Sequence, residues 1–168
     1  TRMPKSAEKE SFTYQQAEQK LLAYIEQHAM RKTPERFEVL RMVCSIHSIF
    51  SVDELVSHMQ KRSKFVVSRA TIFNTLDLFY DAGLVVKHTL KRAALYEYND
   101  QNISSMLMVC AKCGAVQEYR DDELTLSMMR IKAKQFTVQR PVLYLHGLCS
   151  KCVKPHGRKK NTSRITKK

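Results

Sequence analysis

Ser68-Arg69-Ala70-Thr71-Ile72-Phe73-Asn74-Thr75-Leu76-Asp77-Leu78-Phe79-Tyr80-Asp81-Ala82-Gly83 is the stretch on which the architecture turns. A helix opens at Ser68, and Ile72, Leu76, Phe79 and Tyr80 place one apolar face over three turns. Arg69, Thr71, Asn74, Thr75 and Asp77 fall mainly off that stripe. Asp81-Ala82-Gly83 closes the helix, because Gly83 is free to take the left-handed cap conformation. Two short strands follow, Leu84–His88 and Ala94–Tyr98, joined by the basic turn Thr89–Arg92.

Upstream, Thr33-Pro34-Glu35 reads as a helix start: Thr33 can accept a hydrogen bond as N-cap, Pro34 suits the first helical position, and Glu35 meets the positive end of the dipole. Phe37, Leu40, Val43, Cys44 and His47 continue at helical spacing. Ser51-Val52-Asp53-Glu54 is a capping box ahead of Leu55, Val56 and Met59. An earlier stripe over Phe12–Ala29, with Ala17, Leu21, Leu22 and Ile25, fits one more helix. Three helices and a hairpin with a basic turn are the order of a winged helix-turn-helix, here spanning residues 1–100. The last helix needs an apolar face to sit on its neighbours and a polar face left free for a groove of DNA. A polar face is also what any solvated helix shows, so the pattern alone leaves both readings open.

After Asp100-Gln101-Asn102 the texture changes. Met106–Val109 is apolar, Ala115–Tyr119 alternates, Asp121–Lys134 reads as an amphipathic helix, and Thr137–Leu148 as a strand. Asp121, Asp122 and Glu123 in the first turn of that helix, and Lys132 and Lys134 in its last, suit the dipole. The result is a small α/β unit over residues 103–152, short for independent stability. A metal staple and a partner subunit are the two additions that would help it.

Cys110-Ala111-Lys112-Cys113-Gly114 and Cys149-Ser150-Lys151-Cys152 supply the staple. Two residues between thiolates let the backbone fold back so that both sulfurs reach one ion at ~2.3 Å. Four soft ligands in a tetrahedron suit Zn²⁺ or another tetrahedral metal, and they leave no open coordination position, so the site is read as structural, one ion per subunit. A thioredoxin-like motif would need one such pair at a helix start, and no spacing here supports an iron–sulfur cluster. Disulfides are disfavoured in a reducing compartment. Cys44 stands apart at a helical core position and reads as a small hydrophobe.

The chain has 168 residues, 43% hydrophobic and 27% charged, and a formal net charge of +13. Residues 1–102 carry 15 basic and 12 acidic side chains, whereas 153–168 carry seven basic and no acidic ones. That tail reads as disordered, either gripping phosphate or keeping the chain soluble. Four Gly and four Pro exclude collagen-like and Pro/Gly-rich classes. No apolar run nears the ~18 residues of a membrane span, and the polar start shows no signal peptide. No nucleophile–base pair and no phosphate-binding Gly loop points to an enzyme. A cytoplasmic protein with an anionic partner is expected.

Taken together, these motifs resemble the ferric uptake regulator (Fur) family of bacterial metal-responsive repressors. The match runs from about Arg31 to Cys152: Arg31-Lys32-Thr33-Pro34-Glu35-Arg36, Ser51-Val52-Asp53-Glu54-Leu55, Arg69–Leu76, Asp81-Ala82-Gly83-Leu84-Val85, Tyr96-Glu97 and both cysteine pairs, the second within Leu143-Tyr144-Leu145-x-Gly147-x-Cys149. The resemblance implies an N-terminal winged helix, a C-terminal α/β dimerisation domain, and a homodimer on a pseudo-palindromic operator in double-stranded DNA. It places Ser68–Phe79 in the major groove, with Arg69, Thr71, Phe73 and Asn74 as contacts, and Arg31 and Lys32 at the minor groove.

Two departures from the family pattern shape the expectation. The usual Ala-Thr-Val-Tyr-Arg is here Ala70-Thr71-Ile72-Phe73-Asn74. Arg pairs with guanine or phosphate while Asn matches adenine N6/N7, so the preferred operator should be shifted. The regulatory metal cluster expected before the first cysteine pair reads Ser104-Ser105-Met106-Leu107. Leu148, Thr125 and Ile49 stand at three more ligand positions, and Glu97 alone is retained. Ser, Met and Leu cannot supply what Fe²⁺ or Mn²⁺ needs, so iron sensing is expected to be altered or absent. His47, Glu97 and His146 form a weaker second metal site if the fold gathers them, and an unknown metal or haem effector stays open, though no haem motif is present. A zinc-dependent protein-interaction module is the alternative of a different class; steep salt dependence would mark DNA binding instead.

Overall fold

The structure, a computed structural model, describes residues 5–63, 66–90, 94–99, 105–136, 138 and 140–153, the side chains of 5–12 and 105 excepted. Four helices come first: α1 (Lys5–Gln27), α2 (Pro34–Ser45), α3 (Val52–Arg62) and α4 (Arg69–Asp81). Strands β1 (Val85–Thr89) and β2 (Ala94–Tyr98) form an antiparallel hairpin that pairs Val85 with Tyr98 and Thr89 with Ala94. Lys91 and Arg92 of the expected basic turn, and the tail from Lys154 onward, lie outside the described residues.

The helices meet in one core. Ala17, Leu21 and Ile25 of α1 face Val39, Leu40 and Val43 of α2, Leu55 and Met59 of α3, and Ile72, Leu76 and Phe79 of α4. Phe50, just ahead of α3, exchanges both backbone hydrogen bonds with Tyr96 of β2, each 2.8 Å, and their rings stack with centroids 6.2 Å apart. This bridge ties the hairpin to the helices. No periodic signal marks it, because Phe50 lies in the short link between α2 and α3.

Local signals account for most helix ends. Ser51 accepts from the Glu54 N–H, and the Glu54 carboxylate accepts from the Ser51 N–H, completing the expected capping box. Ser68 caps α4 by accepting from the Thr71 N–H at 3.1 Å. Gly83, at φ +65°, sits in the left-handed region, where Leu84 N–H can return to the Phe79 carbonyl at 2.7 Å. Thr33 departs from expectation: it occupies the N-cap position of α2, but its side chain makes no capping hydrogen bond, so Pro34 and Glu35 define that start. His47 lies beyond the end of α2 and is exposed. Thr75, expected on the polar side of α4, is buried.

The second sheet has the order β4-β3-β5, from β3 (Ser105–Cys110), β4 (Val116–Tyr119) and β5 (Val142–Gly147). β4 runs antiparallel to β3, whereas β5 runs parallel to it, reached by a crossover containing α5 (Asp122–Met129). This helix is shorter than expected and stops before Lys132 and Lys134, so its last turn carries no basic side chain. Arg130 caps it, and the chain then forms a small turn bridging Ala133 and Phe136, with Gln135 at φ +61°.

The two halves differ in what they bury. Among described residues, Met106, Leu107 and Cys110 are the buried hydrophobics beyond Tyr96. Leu126, Met129, Ile131, Phe136, Leu145 and Leu148 are exposed. The N-terminal half should therefore answer to core truncation. Leu76→Ala is expected to lower unfolding free energy by ~2–5 kcal/mol in guanidinium, whereas exposed Asn74→Ala should stay within ~0.5 kcal/mol.

Candidate functional site

β3 and β5 end side by side, Cys110 opposite Gly147, so each strand delivers its cysteine pair to the same edge of the sheet. After Cys110 the chain turns sharply: Gly114 takes φ +69° and donates to the Cys110 carbonyl at 2.8 Å, and Ala111 N–H reaches the Gly147 carbonyl at 2.8 Å. The second pair closes its own turn through Cys152 N–H on the Cys149 carbonyl, also 2.8 Å. All four sulfurs lie within 4.8 Å of one another, the sole such group of His, Cys, Asp or Glu among the described residues.

The geometry fits a tetrahedral cation. Zn–S bonds of ~2.3 Å place sulfurs ~3.8 Å apart, and Cys113 Sγ to Cys149 Sγ is 3.6 Å. Backbone amides of Cys113 and Cys149 point at Cys110 Sγ at 3.5 and 3.4 Å. Those two N–H groups pull the Cys110 thiol down to about 5, so a thiolate forms there first. Cys152 is pushed up to about 12, chiefly by its hydrogen bond with Cys113, with the charge on Cys110 also opposing its ionisation. A bound divalent cation would favour the thiolate form of the sulfurs it touches. Cys44 is buried in the helical core, where burial alone pushes its thiol up to about 12.

The second surface is the outer side of α4. Ile72, Leu76 and Phe79 anchor the helix, leaving Arg69, Ala70, Phe73, Asn74 and Asp77 exposed. The Arg69 guanidinium pairs with Asp53 of α3 and lies over the Phe73 ring, 5.5 Å from its centroid. Thr71 is committed to the cap, its hydroxyl 2.8 Å from Ser68 Oγ. Lys87 of β1 holds Asp77 at 3.1 Å, which partly neutralises that acid. Arg31 and Lys32 are exposed in the link between α1 and α2, and Lys32 pairs with Glu26 at 2.8 Å.

His47, Glu97 and His146 are not brought together. His47 is exposed after α2 and His146 is exposed on β5. Glu97 of β2 is engaged elsewhere, paired with the Arg140 guanidinium. Around that pair stands a cluster which the sequence did not signal. Arg140 Nη1 donates to Asn99 Oδ1 at 2.7 Å, fully buried His88 shares a hydrogen bond with the Tyr144 hydroxyl at 2.8 Å, and His88 Nε2 lies 3.7 Å from Glu97 Oε2. Nearby, the Ile49 N–H donates to the Glu118 carboxylate and Arg120 reaches the His47 carbonyl at 3.2 Å. Apart from His88 with Glu97, which face each other within the hairpin, each contact joins residues more than 40 positions apart, beyond the range of any periodic signal.

Residues 27–146 match the family model described as the ferric uptake regulator family. The zinc uptake regulation protein of Escherichia coli is 29% identical over 142 residues, spanning 80% of this chain and 82% of its own length. A peroxide-responsive repressor from Staphylococcus epidermidis is 27% identical over 149 residues, 88% of this chain and 96% of that protein. The solved Vibrio cholerae ferric uptake regulator, whose description refers to its DNA-binding domains, superposes with a TM-score of 0.54 at 26% identity, covering 74% of this chain and 96% of that one.

Burial, and then the charge of Arg140, hold His88 near pH 4 instead of 6.5. An unfolded chain takes up a proton at this histidine below about pH 6.5, while the folded chain refuses it until about 4, so stability is lost as pH falls through that window. Urea midpoints measured between about pH 7 and 4.5 should fall more steeply for the native chain than for His88→Gln. Parallel slopes would show that His88 is not the group responsible.

Proposed function

The chain belongs to the ferric uptake regulator family, and we propose that it represses transcription as a homodimer whose two α4 helices read the halves of an operator in double-stranded DNA. The observation that carries this reading is the presentation of α4. Its apolar stripe is spent on the core, while Phe73 and Asn74 stand exposed beside Arg69. An Asn amide matches adenine N6/N7 and an aromatic ring packs on a thymine methyl, so an A·T-containing half-site follows. Arg69 can exchange Asp53 for a phosphate, and Arg31 and Lys32 add backbone contacts from the α1–α2 link.

Residues 1–100 form the DNA-reading part and 103–152 the pairing part. Exposed Leu126, Met129, Leu145 and Leu148 on so thin a half support a second copy as their cover. Cys110, Cys113, Cys149 and Cys152 hold one structural Zn²⁺ per subunit. That ion would contribute ~10–16 kcal/mol, comparable with or greater than the whole stability of a typical domain. Family members are regulators rather than enzymes, and four thiolates leave no coordination position for a substrate. No described helix is long and apolar enough to cross a membrane, which accords with a cytoplasmic regulator. Iron sensing of the usual kind is absent in this reading, because Ser104, Met106, Leu107 and Leu148 offer no ligand for a hard cation.

Selection of duplexes from a random pool, followed by binding in a salt series, tests the reading. A pseudo-palindromic site should emerge whose affinity falls steeply with salt, with a slope of ~0.9 per phosphate contact. Asn74→Arg should change the preferred base at one position of each half-site, by a discrimination of ~1–3 kcal/mol. No enriched site, or salt-insensitive capture, would overturn it. Cys149→Ser should lose the zinc found by elemental analysis of the native chain, and with it the dimer and the duplex affinity. Zinc-free protein of native shape and affinity would refute the structural role.

A further inference from the structure

We infer that Arg140 is the resident cation that seats the hairpin β1–β2 on the C-terminal sheet, so that operator binding by the zinc-loaded dimer requires no second divalent cation. The inference rests on the DNA-binding reading above and adds to it how the reading surface is held in place.

Arg140 lies just ahead of β5, on the C-terminal half, and its side chain is only 10% exposed. Its partners belong to the other half: Glu97 on β2, at 14% exposure, and Asn99 directly after it, whose Oδ1 accepts from Nη1 at 2.7 Å. Beside them His88 of β1, wholly buried, touches the Tyr144 hydroxyl of β5 at 2.8 Å. A carboxylate taken this far out of water needs a compensating charge, and removing one partner of such a pair costs more than the pair contributes. The compensating charge is supplied across the junction, so it is satisfied at one placement of the halves only. Burial lowers Arg140 to about 10, which still leaves it a cation at neutral pH.

The same geometry closes the place to a metal. Glu97 and His88 are the sort of side chains a divalent ion would recruit, 3.7 Å apart at Oε2 and Nε2. With the guanidinium on Glu97 Oε1, an incoming ion would meet a fixed positive charge at contact distance. Arg140 is therefore a positioning residue for DNA binding. It acts through Glu97 and touches no base.

The test uses zinc-loaded native chain, Arg140→Lys, Arg140→Met and the double variant Arg140→Met with Glu97→Gln, each titrated onto the selected operator with and without Mn²⁺. Native affinity should not respond to Mn²⁺. Arg140→Met should weaken binding about tenfold, within the range of ordinary coupling between sites, and Mn²⁺ should restore part of the loss through Glu97 and His88. Arg140→Lys should keep most of the affinity. The double variant leaves no buried charge unpaired and so should fold; it should bind more weakly than the native chain and ignore Mn²⁺. Native affinity that rises with Mn²⁺, or folded Arg140→Met or double variant binding as tightly as native, would overturn the inference. Small-angle scattering on the same samples reads the seat without DNA: Arg140→Met should expand and the native chain should not change with Mn²⁺. If the native chain binds no duplex, the DNA-binding reading fails, and equal scattering from native and Arg140→Met then overturns the seat as well.

Discussion

Between residues 105 and 153 the chain buries only Met106, Leu107 and Cys110 among its described hydrophobic side chains, so burial does little to hold β4-β3-β5 together. Fully burying such a side chain contributes ~1.5–3 kcal/mol, against ~10–16 kcal/mol for a structural zinc. With a metal on the sulfurs, the register of β3 with β5 would depend on them more than on the sheet. Cys110 and Gly147 are opposite, and both cysteine pairs turn back from that point. A slip of one residue would carry the Cys149 pair out of reach of the Cys110 pair and reverse the faces of β5. A metal held by the four sulfurs would thus fix a parallel pairing that the side chains of β3 and β5 leave under-determined.

The N-terminal half is built the other way, from ordinary packing. Its core draws on all four helices and on Phe50 and Tyr96, which tie the hairpin to the link between α2 and α3. α4 consequently has no freedom to roll: rotating it to bury Phe73 would lift Ile72, Leu76 and Phe79 off their neighbours. The exposed face is an outcome of the buried one, and the Asp53–Arg69 and Asp77–Lys87 pairs only groom it. These pairs are solvent-exposed and contribute little to stability, so their charges can be exchanged for phosphate at small cost.

What could be read in the sequence was local. Ser51 with Glu54, Gly83 and the two cysteine pairs each carry their meaning within four residues, and the structure has the first two as expected and gathers the four sulfurs. Errors arose where a local signal competes with something distant. The run to Lys134 keeps helical composition, yet α5 ends at Met129, and with no buried residue on α5 no core contact prolongs it. Thr75 carries a hydroxyl and so looked outward, but it sits one residue before Leu76 on the face that meets the core. Thr33 has the right type and position for a cap, yet its side chain makes no capping bond, and the Arg36 N–H goes instead to the Thr33 carbonyl at 3.1 Å. The Glu97–Arg140 pair was invisible for a simpler reason. Nothing around Arg140 distinguishes it from the other basic residues until β5 brings it against β2.

That pair also explains how two halves of such different construction act as one body. Polar contacts span the junction: Ile49 to Glu118, His47 to Arg120, Asn99 and Glu97 to Arg140, and His88 to Tyr144. An apolar junction is non-directional and would tolerate sliding, whereas hydrogen bonds and ion pairs lose their value within an ångström or a few tens of degrees. Buried charges sharpen this further, because a misplaced half leaves a carboxylate and a guanidinium unpaired away from water. A regulator that must present two helices at a fixed separation gains from a junction of that kind. The four sulfurs gather at one end of the C-terminal sheet, and the guanidinium ties that sheet to the hairpin beside α4.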